Sequence, residues 1–504
     1  MSERGTSCCR TEEDRISFLP DDLLCQILSH VPTKTGVMTS VLSTRWRTIW
    51  LSIPILDLHT DDFPNFTALA SFISRFLDGS SCLHKLKLAF GSGRPIRDIS
   101  NEFMRLAFNF TGIIGDISSN PAYLMTQWIN NAVTRKVQHV DILYPTKDIL
   151  ARWIVGMMKM PLSIYTCETL VSLKLCNVSL ADSENFSLPR LKIMRLVGNV
   201  YTNDAFLEKL ISSCPVLEEL VVRNRDTEYN FRVLQVCSKS LKSLVVDLDG
   251  RENVFKDFRV VVIDAPGLNN LRLKDNQFTI YVISNLGSSA KVDIDVSFNL
   301  KRSVVRSAVR MRSLYTMLVR GMTTSSSKRS VMRSFFTMLS SVRDMTISQT
   351  TLEGVCLNLK HKPEPQFSYL IRLHVILYNS DLGKLPNILE CCPNLKSLVL
   401  ELSNLKKEEL LFSSSSSVPV CLRSSLEYVE IKTPMSGAVA EIELVKYFLE
   451  NSTVLKKFKM CLRCGRKNEE SKILMERLRL SRCSPSCEVV VQLEELREET
   501  SLKL

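Results

Sequence analysis

No stretch of the 504 residues is long and apolar enough for a membrane helix. The longest charge-free run, 117–134, is broken by Ser118, Asn120, Pro121, Gln127, Asn130 and Asn131, and a span needs about 20 predominantly apolar residues. The chain opens Met-Ser-Glu-Arg-Gly-Thr-Ser-Cys-Cys-Arg, with no apolar stretch, so no secretory leader is expected. Sixteen cysteines are scattered without regular spacing, whereas oxidised scaffolds are short and cysteine-dense. A reducing compartment, cytoplasm or nucleus, is the expectation. Catalytic signatures are missing too: there is no Gly-rich phosphate loop, no Gly-x-Ser-x-Gly and no His-Glu-x-x-His. The six histidines, His30, His59, His84, His139, His361 and His374, are dispersed. Neither an enzyme nor a cofactor is expected.

Acidic residues are absent from one segment. Residues 301–343 hold ten Lys or Arg and no Asp or Glu, so they carry +10 of the net +12. The rest is near neutral, and composition does not make the whole chain a polyanion binder. Within the segment, Lys301-Arg302-Ser303-Val304-Val305-Arg306 is echoed by Lys328-Arg329-Ser330-Val331-Met332-Arg333. That reads as a duplicated basic amphipathic helix, either a solvated face or a contact for nucleic acid or anionic lipid. One metal candidate exists: Cys461-x2-Cys464 and Cys483-x3-Cys487, eighteen residues apart. These cysteines adjoin strand-like sequence, so no metal is expected.

What the chain has in abundance is one pattern, apolar-x-x-apolar-x-apolar. It runs through Leu83/Leu86/Leu88, Val137/Val140/Ile142, Leu170/Leu173/Leu175, Leu191/Met194/Leu196, Leu217/Leu220/Val222, Leu241/Leu244/Val246 and Leu268/Leu271/Leu273. It resumes at Val342, Leu370, Leu395, Leu426 and Leu455. From Leu170 to Leu268 the starts lie 21, 26, 24 and 27 residues apart, the leucine-rich-repeat period. Three buried aliphatics give about 4–9 kcal/mol gross per unit. Ordering about 25 residues opposes folding by more than that, so no unit folds alone and stacking is required. Helical-looking stretches at Ala205–Ile211 and Leu385–Glu390 precede the near-copies Cys214-Pro215-Val216-Leu217 and Cys392-Pro393-Asn394-Leu395. A strand plus a helix per unit predicts an irregular α/β solenoid with strands inside. Inserts at 97–125 and 297–341 interrupt it, and Ser413–Ser417 reads as a linker or loop.

Upstream, Asp21 or Asp22 starts a helix that Pro32 ends, with Leu23, Leu24, Ile27, Leu28 and Val31 on one face. Val37, Val41, Leu42, Trp46, Ile49 and Trp50 mark a second helical face, with Arg45 and Arg47 off it. Some forty residues cannot bury that much apolar surface. They form either a cap on the repeats or a docking surface for another protein.

Residues 14–54 resemble an F-box, carried by Leu19-Pro20, the Leu23–Leu28 helix, Val31-Pro32 and Ser40-Val41-Leu42-Ser43-Thr44-Arg45-Trp46-Arg47-Thr48-Ile49-Trp50. The resemblance implies a Skp-type adaptor of a cullin–RING ubiquitin ligase as partner. It also implies adaptor contacts by Leu19, Pro20, Leu23, Ile27, Leu28, Pro32, Leu42, Trp46 and Trp50. Near the other end, Ser424–Ile431, Glu443–Asn451, Val454–Lys457 and Ser486–Val490 resemble the FBD domain of plant F-box proteins, with Pro434-Met435 departing from the usual aromatic.

The organisation that follows is a disordered tail at 1–13, a three-helix F-box module at 14–60, leucine-rich repeats at 80–412 and an α+β FBD domain at 418–495. Its expected function is substrate recognition for a Skp–cullin–F-box ligase. A non-ligase repeat scaffold and a nucleic-acid-associated protein using 301–343 are the alternatives. An unknown protein target would lie against the side chains between the apolar strand positions: Lys174, Glu219, Val221, Arg223, Ser243, Asp247, Arg272, Lys274, Arg372, His374 and Glu401. Their charges are mixed and name no target class.

Overall fold

The computed structural model describes residues 16, 18–80, 82–90, 121–144, 158–224, 231–248, 259–276, 279–297, 328–359, 366–403, 418–435, 439–463 and 482–494. They belong to two compact units, 1–195 and 196–504. The expected tail 1–13, most of the insert 97–125, the basic segment up to residue 327, the serine run and Cys464 lie outside the described residues.

The first unit begins with three short helices, α1 (Asp21–Leu28), α2 (Thr33–Met38) and α3 (Trp46–Ile49). Pro20 and Pro32 sit just before α1 and α2, where a missing N–H removes no helical hydrogen bond. Then come β1 (Ile55–His59), α4 (Phe66–Gly79), β2 (Lys85–Ala89), α5 (Pro121–Thr134), β3 (His139–Leu143), β4 (Ser172–Cys176), the two-residue β5 (Ser179–Leu180) and β6 (Ile193–Val197), where the unit ends. Asn65 caps α4, its Oδ1 accepting the Ala68 N–H at 2.8 Å.

Strands β1 to β4 pair in parallel and in chain order. Their register stacks Leu56, Leu86, Val140 and Leu173 in one buried column and Leu58, Leu88, Ile142 and Leu175 in the next. A slip of one residue would turn both columns to solvent. The first of these strands was not anticipated: Ile53/Leu56/Leu58 repeats the pattern, so the ladder starts directly after the helical module.

The second unit holds β7 (Val200–Tyr201), α6 (Ala205–Ser212), β8 (Glu219–Arg223), β9 (Val233–Cys237), β10 (Ser243–Asp247), β11 (Arg259–Asp264), β12 (Asn270–Asp275), β13 (Thr279–Ser284) and β14 (Lys291–Val296). It continues through α7 (Lys328–Met338), β15 (Asp344–Ile347), α8 (Gln349–Leu359), β16 (Arg372–Tyr378), α9 (Leu385–Glu390) and β17 (Ser397–Ser403). The last elements are α10 (Val420–Ser424), β18 (Tyr428–Met435), α11 (Val439–Asn451), β19 (Lys457–Arg463) and β20 (Glu488–Glu494). The parallel order is β8-β10-β12-β14-β15-β16-β17-β18-β19-β20. One register column reads Leu220, Leu244, Leu271, Val292, Met345, Leu373, Leu398, Val429, Phe458 and Val489. Strand entries also bond the strand before, as when Asn270 N–H donates to Lys242 O and Lys291 N–H to Asn269 O.

Between β8 and β14 the expected helix per unit gives way to a second parallel sheet, β13-β11-β9. The return segments there, Val233-Leu-Gln-Val, Arg259-Val-Val-Val-Ile and Thr279-Ile-Tyr-Val-Ile, are rich in β-branched residues, which favour strands over helices. Beyond β14, α7, α8 and α9 restore the helical returns. Strands β18 and β19 continue the same ladder, so the last region adds strands to the repeats without a separate sheet. Among its described residues the register shifts between Ile431 and Met435 of β18. Pro434, which has no N–H to give to a ladder, sits there.

Candidate docking surfaces

The helical module sorts its apolar residues into two sets. Leu24, Leu28, Trp46, Ile49 and Trp50 are buried. The Trp50 ring stacks on Phe72 of α4 with centroids 5.5 Å apart, and its Nε1–H donates to Arg47 O at 2.9 Å. Thr33, also buried, accepts the Asp57 N–H at 2.8 Å and donates to Ile55 O at 3.4 Å, tying α2 to β1. Leu28, Trp46 and Trp50 are therefore corrected from adaptor contacts to packing residues of the module itself. Trp46 is 4% exposed.

The other set faces outward. Leu23, Ile27 and Leu42 are exposed, and so are Phe18, Met38 and Val41, the last at 85%. Leu19 is half-buried, while Pro20 and Pro32 are exposed. Phe18, Met38 and Val41 were not among the expected contacts. Phe18 beside Leu19-Pro20, and Val41 beside Leu42, carried the signal. The region after α1 is also not one helix: α2, a 3-10 turn at Thr39–Val41 and α3 succeed one another. That break leaves Val41 and Leu42 out while Trp46 and Ile49 point in. Six large exposed apolar side chains within 25 residues exceed the scattered singles of an ordinary surface.

The strand face differs in kind. In the first unit Lys174 stands in register with Asp141, Lys87 and Asp57, and both Lys85 and Lys87 reach the Asp57 carboxylate, at 3.7 and 3.2 Å. Burial, then Lys85, Lys174 and His84, push the His139 imidazole below its ordinary pKa. In the second unit Glu219 aligns with Ser243, Arg223 with Asp247, and Asp247 with Lys274. Arg223 Nε lies 3.8 Å from Asp247, Arg272 Nε 2.9 Å from Asp293, Arg372 Nε 3.4 Å from Asp344, and His374 Nε2 3.3 Å from Glu401. Lys459 likewise pairs with Glu430 at 2.9 Å.

Two expected surface residues do not present surface. Val221 is buried opposite Val245, and Asp247 is sunk between the longer Arg223 and Lys274. The partners Asp293, Asp344 and Glu430 were missed. Asp293 could have been found from the strict alternation of Lys291-Val292-Asp293-Ile294-Asp295-Val296. Burial holds the Asp293 carboxyl above its ordinary pKa, with Arg272 opposing.

Cys461 is half-buried in β19, Cys483 exposed and Cys487 buried. Among the described residues no group of three or more His, Cys, Asp or Glu is placed to hold a metal ion. None of the described helices is long and apolar enough to cross a membrane.

Residues 16–58 match the F-box domain, 125–295 the LRR repeats of the FBD-associated F-box protein At5g56370 family, and 414–460 the FBD domain. An F-box/FBD/LRR-repeat protein of Arabidopsis thaliana is 51% identical over 487 residues, covering 96% of this chain and 98% of its own. The chain belongs to the F-box/FBD/LRR-repeat family. A second member from the same plant, F-box/FBD/LRR-repeat protein At5g22660, is 44% identical, with 97% and 99% covered. F-box/LRR-repeat protein 13 of Arabidopsis thaliana is 40% identical, with 95% and 96% covered. The F-box match spans α1 to β1, so the bare apolar set lies on the F-box. The FBD match spans α10, β18, α11 and most of β19, so the FBD is built from repeat-like strands.

Proposed function

We propose that this F-box/FBD/LRR-repeat protein is the substrate receptor of a Skp–cullin–F-box ubiquitin ligase in the cytoplasm or nucleus. The carrying observation is the exposed set Phe18, Leu23, Ile27, Met38, Val41 and Leu42 on an F-box whose own core is already complete. A module with a filled core has no internal use for six more apolar side chains, and a Skp-type adaptor gives them a place to be buried. The receptor does no chemistry itself. It holds a target beside a ubiquitin-charged enzyme brought by the adaptor and cullin, and so raises the local concentration of acceptor lysines. The target side is the strand face of each unit, with Lys174 in the first and Glu219, Arg223, Ser243, Arg272, Lys274, Arg372, His374 and Glu401 in the second, at or near the surface.

The test uses the purified full chain and a purified Skp-type adaptor. The expected result is a stoichiometric complex that also recruits a cullin–RING pair and supports ubiquitin transfer to a co-bound protein. A natively folded full chain that captures no Skp-type adaptor overturns the proposal.

A further inference from the structure

Arg45 stands outside the apolar set, at the entrance of α3, and its guanidinium reaches back across 24 residues of sequence. Nε donates to Asp21 Oδ1 at 2.9 Å, and Nη2 donates both to the same oxygen and to the carbonyl of Leu19. One side chain thus ties the start of α3 to the first turn of α1 and to the arm ahead of it. The arm carries Phe18 and Leu19, α1 carries Leu23 and Ile27, and the stretch leading into Arg45 carries Val41 and Leu42. The Pro20 end of the arm is held by Leu23 and Leu24 N–H donating to Pro20 O at 3.1 Å; ahead of it Leu19 N–H bonds back to Ile16 O, and Phe18 is 83% exposed. The ion pair is itself exposed, with two-thirds of the Asp21 side chain open to solvent, so its contribution to global stability is small. A contact that adds little stability yet joins both halves of an exposed apolar surface acts on the shape of that surface.

We propose that Arg45 is a positioning residue: its clasp on Asp21 and the Leu19 carbonyl holds the Phe18–Pro20 arm and α1 in docking geometry against the Val41–Leu42 segment. This rests on the reading of the exposed F-box set as an adaptor-docking surface. Geometry explains the choice of arginine. Its planar fork presents several N–H groups in fixed directions, so carboxylate and carbonyl are held together, whereas a lysine ammonium has no such fork. Holding the arm before the partner arrives removes an ordering cost from binding.

The experiment has two arms, both on the full chain. Hydrogen–deuterium exchange is measured over the peptide 16–24 in wild type, Arg45→Ala, Arg45→Lys and Asp21→Asn. Exchange of that peptide should quicken several-fold in Arg45→Ala, with peptides from α4 and β2 unchanged. Binding to a purified Skp-type adaptor is then measured for the same chains. Arg45→Ala should weaken it about tenfold through lost pre-organisation, with Arg45→Lys and Asp21→Asn between it and wild type and the thermal midpoints alike. Unchanged exchange in Arg45→Ala overturns the clasp, and so does adaptor affinity within a factor of about two of wild type. Exchange that quickens equally in α4 also overturns it, because the residue is then supporting the fold as a whole. If wild type itself fails to bind the adaptor, the docking reading falls, while the exchange arm still decides whether Arg45 holds the arm.

Discussion

The F-box surface and the strand face are both open to solvent, yet they spend their side chains in opposite ways. On the F-box an exposed apolar set, Phe18, Leu23, Ile27, Met38, Val41 and Leu42, stands beside the Arg45–Asp21 ion pair. On the strand face of the second unit the outward residues are mostly charged, and neighbours across adjacent strands pair: Arg272 with Asp293, Arg372 with Asp344, Lys459 with Glu430. Burial of apolar area is non-directional and strong, about 25 cal/mol per Å², so it suits a partner of constant shape. Paired surface charges add little stability but discriminate between partners, because a wrong charge placed opposite them is repelled. Under the proposed function, the first surface holds a constant partner and the second selects a target.

The hardest blow to that contrast is a charge placed on the apolar surface. Leu23→Asp with Ile27→Asp should cut adaptor affinity more than about a hundredfold, since burying two unpaired carboxylates is expensive. Because both positions are exposed in the free chain, the thermal midpoint should scarcely move. Trp50→Ala should also abolish capture, but by a different route. Removing a buried ring stacked on Phe72 destabilises by about 3–5 kcal/mol, so capture and the circular-dichroism melt should fail together. If the Leu23/Ile27 double variant unfolds like Trp50→Ala, those two residues belong to the core and the contrast collapses.

How much of this was legible in the sequence follows from the same contrast. Periodicity finds a face but not which way the face looks. Val37 to Trp50 reads as one helical stripe, yet the turn at Thr39–Val41 splits it, sending Leu42 out and Trp46 in. From Leu83 onward the repeat triplets are plain where an aliphatic lead-in stands three residues before the next apolar position, whereas Ile53/Leu56/Leu58, of the same spacing, is masked by its place directly after the helical module. At β14 the lead-in is the buried Ala290, only two residues before Val292, so that strand escaped, and the Asp293 partner of Arg272 with it. The outer sheet β13-β11-β9 escaped because the repeat period predicts a return, not whether the return is helix or strand. The helix at Val439–Asn451 was visible because its apolar spacing and flanking strands agree.

A gentler change sharpens the other side of the comparison. Arg272→Ala should shift stability by less than about 1 kcal/mol, and a double-mutant cycle with Asp293→Ala should give a coupling of about 0.5 kcal/mol, as for exposed pairs generally. Urea unfolding monitored by fluorescence measures both. A coupling above about 2 kcal/mol would mean that the pair holds the ladder together and is not spare surface.

The smallest effect concerns protons. His374 lies within ion-pair distance of Glu401 on a half-buried part of the face. Burial and then Lys432 lower its pKa, while Glu401 and Asp293 act the other way without prevailing. The folded chain therefore binds this proton less readily than the unfolded chain. Well above the ordinary histidine value of about 6.5 both states are neutral, and the contribution to stability is fully present. As pH falls through that value the unfolded chain protonates first, so the contribution is lost as pH drops toward the folded pKa. His139, lowered first by burial and then by its lysine neighbours, has the same sign. Between pH 7.5 and 5.5 wild type should lose slightly more stability than His374→Asn. The sharper readout is the imidazole proton resonance, which should titrate at lower pH in the native chain than in the urea-unfolded chain. Titration at higher pH in the native chain would show that Glu401 and Asp293 outweigh burial and Lys432. The His374–Glu401 contact would then be a charged pair like the three beside it.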